Sequence, residues 1–143
     1  MKLLKLIEIA DLVANSIDFE SVTSGCIDTS ASQTIGVYQR DATEIRECIG
    51  GESSYQTAKV RILIHWTTNP NTAEEKAAEI AEIFSGLRDM PTAEHIIKFA
   101  NSIKIRSIGK DEKGICEYIV DADIIYIEGM INYVRKDRCI SLL

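Results

Sequence analysis

Hydrophobic and polar positions alternate most regularly in QTAKVRILIHW, residues 56–66. Ala58, Val60, Ile62, Ile64 and Trp66 are apolar; Thr57, Lys59, Arg61 and His65 are polar, and Leu63 alone breaks the pattern. A period of two belongs to a strand with one face in the core. Asn69-Pro70-Asn71 ends the run, because proline removes a donor and asparagine favours turns. The period then becomes helical. Ala73, Ala77, Ile80, Ala81, Phe84 and Leu87 share one face, with Glu74, Glu75, Glu79, Glu82 and Arg88 mostly elsewhere. Thr72 and Glu75 have the spacing of a capping box, which puts the helix start at Thr72. The apolar stripe of this helix is expected to lie on the apolar face of the strand before it.

Leu3, Leu6, Ile7, Ala10, Val13, Ala14 and Ile17 also recur at helical spacing, opposite Lys2, Lys5, Glu8, Asp11 and Asn15. This predicts an amphipathic first helix. Its mixed charge and lack of aromatic residues favour packing on a sheet over lying on a membrane. Val22, Cys26 and Ile27 fit a short strand, 29–33 a polar loop, and Ile35-Gly36-Val37-Tyr38 a second short strand. Residues 43–49 fit either a strand or an irregular crossing segment, and 50–54 a flexible turn.

Beyond the second helix, residues 89–92 read as a break and 92–95 as a helical turn. Residues 96–108 alternate in part, which predicts a strand bent or bulged at Asn101-Ser102. A charged loop bracketed by Gly109 and Gly114 leads into 115–127, where Cys116, Tyr118, Val120, Ala122, Ile124 and Tyr126 form one face. Two strands joined by so short a turn predict an antiparallel hairpin. The expected fold is α+β: a single mixed, largely antiparallel sheet with two main helices packed on one face. Residues 1–128 form one domain, and 129–143 a last strand or a tail.

At 143 residues the chain is long enough to bury a core, and 45% hydrophobic with 27% charged residues is ordinary for a folded domain. A formal charge of −6 argues against a surface that grips a phosphate backbone. Glu8 and Asp11 interrupt the apolar start, so a signal peptide is not expected, and no segment is long and apolar enough to span a bilayer. Cys26, Cys48, Cys116 and Cys139 contain no CxxC, which argues against zinc, and in the expected cytoplasmic setting they would be reduced.

Candidate chemistry is sparse. His65 and His95 with a cysteine would make a nucleophile pair only if folding joined them, and no nucleophile signature surrounds any cysteine. Cys116 reads more simply as a small buried hydrophobe. Gly50-Gly51 lacks the rest of a phosphate-binding loop and precedes a strand. Asp121 and Asp123 read as the wet side of a strand, and the glutamates of the second helix as a solvated face. Leu63, Ile119, Ile125 and Ile127 on the polar sides leave the hairpin apolar on both faces. That is either ordinary coverage by the terminal segment or a contact surface for another subunit.

IGVY at 35–38, GGESSYQTAKVRILIHW at 50–66 with its Ala/Glu-rich helix, and GKDEKGICEYIVDADIIY at 109–126 resemble minor capsid proteins of tailed bacteriophages and prophages. That family is similar to the tail-terminator (tail-completion) proteins, and the resemblance spans about residues 1–127. It implies a virion protein assembled in the bacterial cytoplasm, with no catalytic residue, cofactor or metal. It also implies a ring, usually hexameric, that caps the tail tube and meets the head connector, with DNA passing through its lumen unbound. By position, Gly50, Gly51 and Tyr55 in one turn, and Gly109, Lys110, Asp111, Lys113 and Gly114 in the other, are the candidate subunit or tube contacts. The alternatives are a cytoplasmic adaptor or dimeric binding module, and a small hydrolase or transferase with a Cys/His site.

Overall fold

A computed structural model describes residues 3–17, 22–25, 33–45 and 55–128. The chain runs α1 (Leu6–Ile17), β1 (Val22–Ser24), β2 (Thr34–Gln39), β3 (Gln56–His65), α2 (Pro70–Ser85), β4 (Met90–Pro91), β5 (His95–Lys110) and β6 (Cys116–Glu128). The strands form one sheet in the order β1-β2-β3-β6-β5-β4. β1 and β2 run parallel, and every other neighbouring pair is antiparallel. The alternating strand at 56–65 thus lies between β2 and β6, near the centre.

Register explains why one face is core. Val60, Ile62 and Ile64 stand opposite Ala122, Val120 and Tyr118 on one side, and Ile62 and Ile64 opposite Val37 and Ile35 on the other. These join a single cluster with Ile9, Leu12 and Val13 of α1 and Ala73, Ala77, Ile80 and Phe84 of α2. Both helices therefore cover the same face, and the fold is α+β as expected. The opposite face carries ion pairs, Arg61 with its cross-strand partner Asp121 at 2.7 Å and Arg40 with Asp123 at 2.5 Å.

Several local expectations are corrected. α2 begins at Pro70, not Thr72. Asn69 is its N-cap, accepting from the Asn71 N–H at 3.0 Å, and Pro70 fits the first turn because its missing donor would be unpaired there anyway. The break at 89–92 holds the two-residue strand β4, and 92–95 is a hairpin turn in which the Thr92 N–H donates to the His95 carbonyl at 2.8 Å. Gly109 and Lys110 belong to β5, so the loop shrinks to 111–115. The bulge expected near Asn101-Ser102 is present: the register slips between Asn101 and Lys104, and Ser102 has φ 53°.

α1 forms where expected, with Ala10 and Val13 of the expected face buried and Leu6 and Ile17 packed against the core, but the helix is turned part of the way towards Glu8. Glu8, Ile9, Ala10, Leu12 and Val13 are buried, whereas Ile7 and Leu3 are 47% and 40% exposed. The expected stripe and the buried one overlap, and the turn brings Glu8, Ile9 and Leu12 inside at the expense of Ile7. The strand expected to reach Cys26 and Ile27, the segment at 46–49, the turn at 50–54 and the last strand or tail at 129–143 lie outside the described residues.

Candidate functional site

The loop between β5 and β6 is built around one carboxylate. Asp111 Oδ1 accepts the N–H groups of Lys113 and Ile115 at 2.9 and 2.8 Å, and Oδ2 accepts Nε2–H of His65 at 2.7 Å. These donors, His65 first, hold the Asp111 carboxyl below its usual range. Gly109 (φ 101°) and Gly114 (φ 82°) take backbone conformations that side chains resist, so the turn needs glycine at both ends. Asp111 is therefore engaged inward, while Lys110 and Lys113 stand exposed.

His65 is itself buried, and among the described residues its Nδ1 and the Oγ1 of its cross-strand partner Thr34 have no hydrogen-bond partner. Sequence reading placed His65 on a wet face. Its partner Asp111 lies 46 positions away, and no local pattern announces the pair.

The other candidate turn lies at the far end of β3. Tyr55, 57% exposed, immediately precedes that strand and lines an open depression of ≈ 500 Å³ with Thr57, Asp89, Lys98, Phe99 and Ile125. Gly50 and Gly51 fall outside the described residues. Gln56 is opposite Tyr126, whereas His65, which holds the Asp111 loop, is opposite Glu117. At about 3.3 Å per residue, the two candidate regions are roughly 30 Å apart. The fold does not bring them together.

A second buried polar cluster was not foreseen. Glu8 caps the start of α1 by accepting the Lys5 N–H at 2.9 Å. The same carboxylate accepts Thr92 Oγ1–H at 2.7 Å, the Glu94 N–H at 3.1 Å and His95 Nδ1–H at 3.0 Å. Burial pushes the Glu8 carboxyl up, but the His95 bond and then the Lys5, Thr92 and Glu94 bonds together hold it below its ordinary value. Glu8, Glu94 and His95 lie close enough to suggest metal ligands. The donors already on Glu8 give its charge a complete structural role: they clamp α1 to the β4–β5 turn.

The described cysteine gives the Cys–His alternative no support, and Cys116 is the small buried hydrophobe expected. Cys116 shares its side of β6 with Val120 and Ala122 in the core and sits against the Thr68 carbonyl at 3.8 Å. His65 alternates to the other side of the sheet, with Arg61.

The doubly apolar hairpin is also not the exposed patch. Ile119 is 4% exposed, and Leu63, Ile125 and Ile127 are half-buried. The large exposed apolar side chains of the sheet lie instead on its β4–β5 side, namely Met90 and Phe99 at 39% and Ile105 and Ile108 at 46% and 47%.

The described residues thus form a six-stranded sheet covered by two helices on one face, with Tyr55 at one end of β3 and the Asp111 turn at the other. The chain belongs to the bacteriophage tail terminator protein family, whose model matches residues 11–127. No curated protein matches significantly. One solved chain, 14% identical, is similar over 85% of this chain and 88% of that one with a TM-score of 0.46, a likeness too loose to inform fold or function. Membership makes this a phage structural protein and a virion component. Among the described residues, no helix is long and apolar enough to cross a membrane.

Proposed function

We propose that the chain is a non-enzymatic subunit of a ring, a hexamer in the usual form, that caps the phage tail tube and offers its other side to the head connector. Family membership over residues 11–127 carries the reading. The separation of the Tyr55 and Asp111 ends by the length of β3 supports it, since a cap must meet different neighbours on opposite sides. Six copies would carry a formal charge of −36 (6 × −6), which suits a lumen that DNA traverses without sticking. Assembly takes place in the host cytoplasm, with tube, connector and sister subunits as partners.

Electron microscopy of the concentrated protein tests the ring directly. Closed rings of uniform subunit number are the expected result; a discrete dimer at every concentration overturns it in favour of the adaptor. Charge reversal at exposed Lys110 and Lys113 should impair ring or tail assembly and leave the melting temperature unchanged. Normal assembly by that variant removes the loop from the contact.

A further inference from the structure

Asn101 and Ser102 lie at the bulge of β5. Between Asn101, opposite Asp123, and Lys104, opposite Asp121, the register slips, so Ser102 and Ile103 stand against Ala122 alone. Ser102 takes φ 53°, a conformation that residues with side chains seldom adopt. On the other side, β4 pairs only with Ile96 and Ile97, so among the described residues no strand flanks β5 at the bulge. Asn101 and Ser102 are both exposed, and with Lys59 and Asp123 they line an open polar depression of ≈ 410 Å³. Water therefore reaches the pair.

An asparagine followed by a small residue carries the parts of a reaction of its own. The amide carbon Cγ and the next backbone nitrogen can close a five-membered imide, provided that the backbone is free to turn and the nitrogen can leave its ladder. Regular secondary structure resists both. Asn15-Ser16 is the same pair, but it lies within α1, where the Ser16 nitrogen belongs to the helix ladder and the Ser16 hydroxyl donates to the Leu12 carbonyl at 2.8 Å. Asn69 precedes Pro70, whose nitrogen has no proton to give. Asn71 precedes Thr72 in the first turn of α2, where a β-branched side chain crowds the nitrogen. Among the described residues, Asn101 is the asparagine whose following nitrogen is least held.

We infer that Asn101 is a site of spontaneous deamidation, with water as the co-reactant. The Ser102 nitrogen attacks Cγ of Asn101. A C–N bond forms as that nitrogen gives its proton to solvent, and the Cγ–Nδ2 bond breaks as the leaving nitrogen takes up a proton and departs as ammonia. Water then opens the imide at either carbonyl, giving aspartate or isoaspartate; one water is consumed, one ammonia is released, and nothing is oxidised or reduced. The product places a carboxylate opposite Asp123, which Arg40 already holds at 2.5 Å. Like charges directly opposite destabilise a strand pair, so the modification loosens β5 at its bulge. It does not depend on the ring reading.

Peptide mapping by mass spectrometry, on the full chain held folded in mildly alkaline buffer, is the test. The tryptic peptide 99–104 should convert from amide to acid at least about 10-fold faster than the peptide bearing Asn15, because opening a helix costs more than opening an exposed bulge. In urea the two Asn-Ser pairs should react at similar rates. Both aspartate and isoaspartate should appear at position 101. Ser102→Gly, which suits the positive φ and uncovers the nitrogen, should react faster, and Asn101→Gln should stay intact. Equal rates at Asn15 and Asn101 in the folded chain overturn the inference, as does an Asn101 that converts only in urea. Aspartate without isoaspartate, or a Ser102→Gly chain no faster than wild type, overturns the imide route. Asn101→Asp, the product itself, should melt below the wild type; equal melting temperatures overturn the loosening of β5.

Discussion

Asp111 shows how one side chain can shape a surface without belonging to it. Its two oxygens gather two turn amides and a buried imidazole, and the exposed lysines on either side take their positions from that arrangement. Asp111→Ala should leave the His65 ring without its hydrogen-bond acceptor and free the Lys113 and Ile115 amides. The expected result is faster amide exchange at both residues and a lower melting temperature, with β3 and β6 still paired. Unchanged exchange at Lys113 and Ile115 would show that the turn holds itself. Thr34 and His65 make the converse point, since each keeps a buried polar atom without a partner among the described residues. Nothing in their own sequence neighbourhoods signals it.

Among the elements, β3, β6 and α2 are the parts that their residues announce, and the rotation of α1 and the strand β4 are the parts that they do not. In β3 and β6, side chains alternate between faces, so apolar residues at one parity select a single way of packing. α2 is similarly constrained, with Ala73, Ala77, Ile80 and Phe84 on one stripe and glutamates outside it. α1 has an apolar stripe of its own, but its buried side is turned from that stripe far enough for the Glu8 carboxylate to reach Thr92, Glu94 and His95. Glu8→Ala removes a helix cap and a cross-link to the Thr92–His95 turn at once. About 2 kcal/mol of stability should be lost, measured by urea unfolding. A loss within about 0.5 kcal/mol, the range of ordinary surface changes, would mean that the clamp is ornamental. β4 went unread for a different reason: two residues show no period, and Met90 and Pro91 pair only because the Thr92 turn folds them back on β5.

For the molecule as a whole, three carboxylates tie stability to pH in the same direction. Glu8, Asp111 and Asp121 all have folded-state pKa values below their ordinary ones, held down chiefly by His95, His65 and Arg61 respectively against the cost of burial. Unfolded, these groups would take up protons near pH 4. Below that, the unfolded chain binds more protons than the folded one, so stability falls with pH. Their contribution is complete above about pH 5 and is lost as pH drops through about 4 towards the folded values. Melting temperature should be flat from pH 7 to 5 as far as these groups govern it, and then decline, less steeply in the Glu8→Ala chain. A decline of equal slope in both chains would remove Glu8 from the account.

By itself, the order of residues determined strands over about 56–66 and 115–127, both helices, the bulge near Asn101 and the α+β class, because periodicity and turn chemistry act over a few neighbours; the family followed from resemblance to known sequences. Only the tertiary structure decided the rotation of α1, that Glu8, His65 and His95 lie inside, that Tyr55 and Asp111 stand at opposite ends of β3, and that the large exposed apolar residues of the sheet are on β4 and β5. The physical reason is range. Glu8 meets Thr92 and His95 across 84 and 87 positions, and a bond over that distance exists only once the sheet has put its ends together.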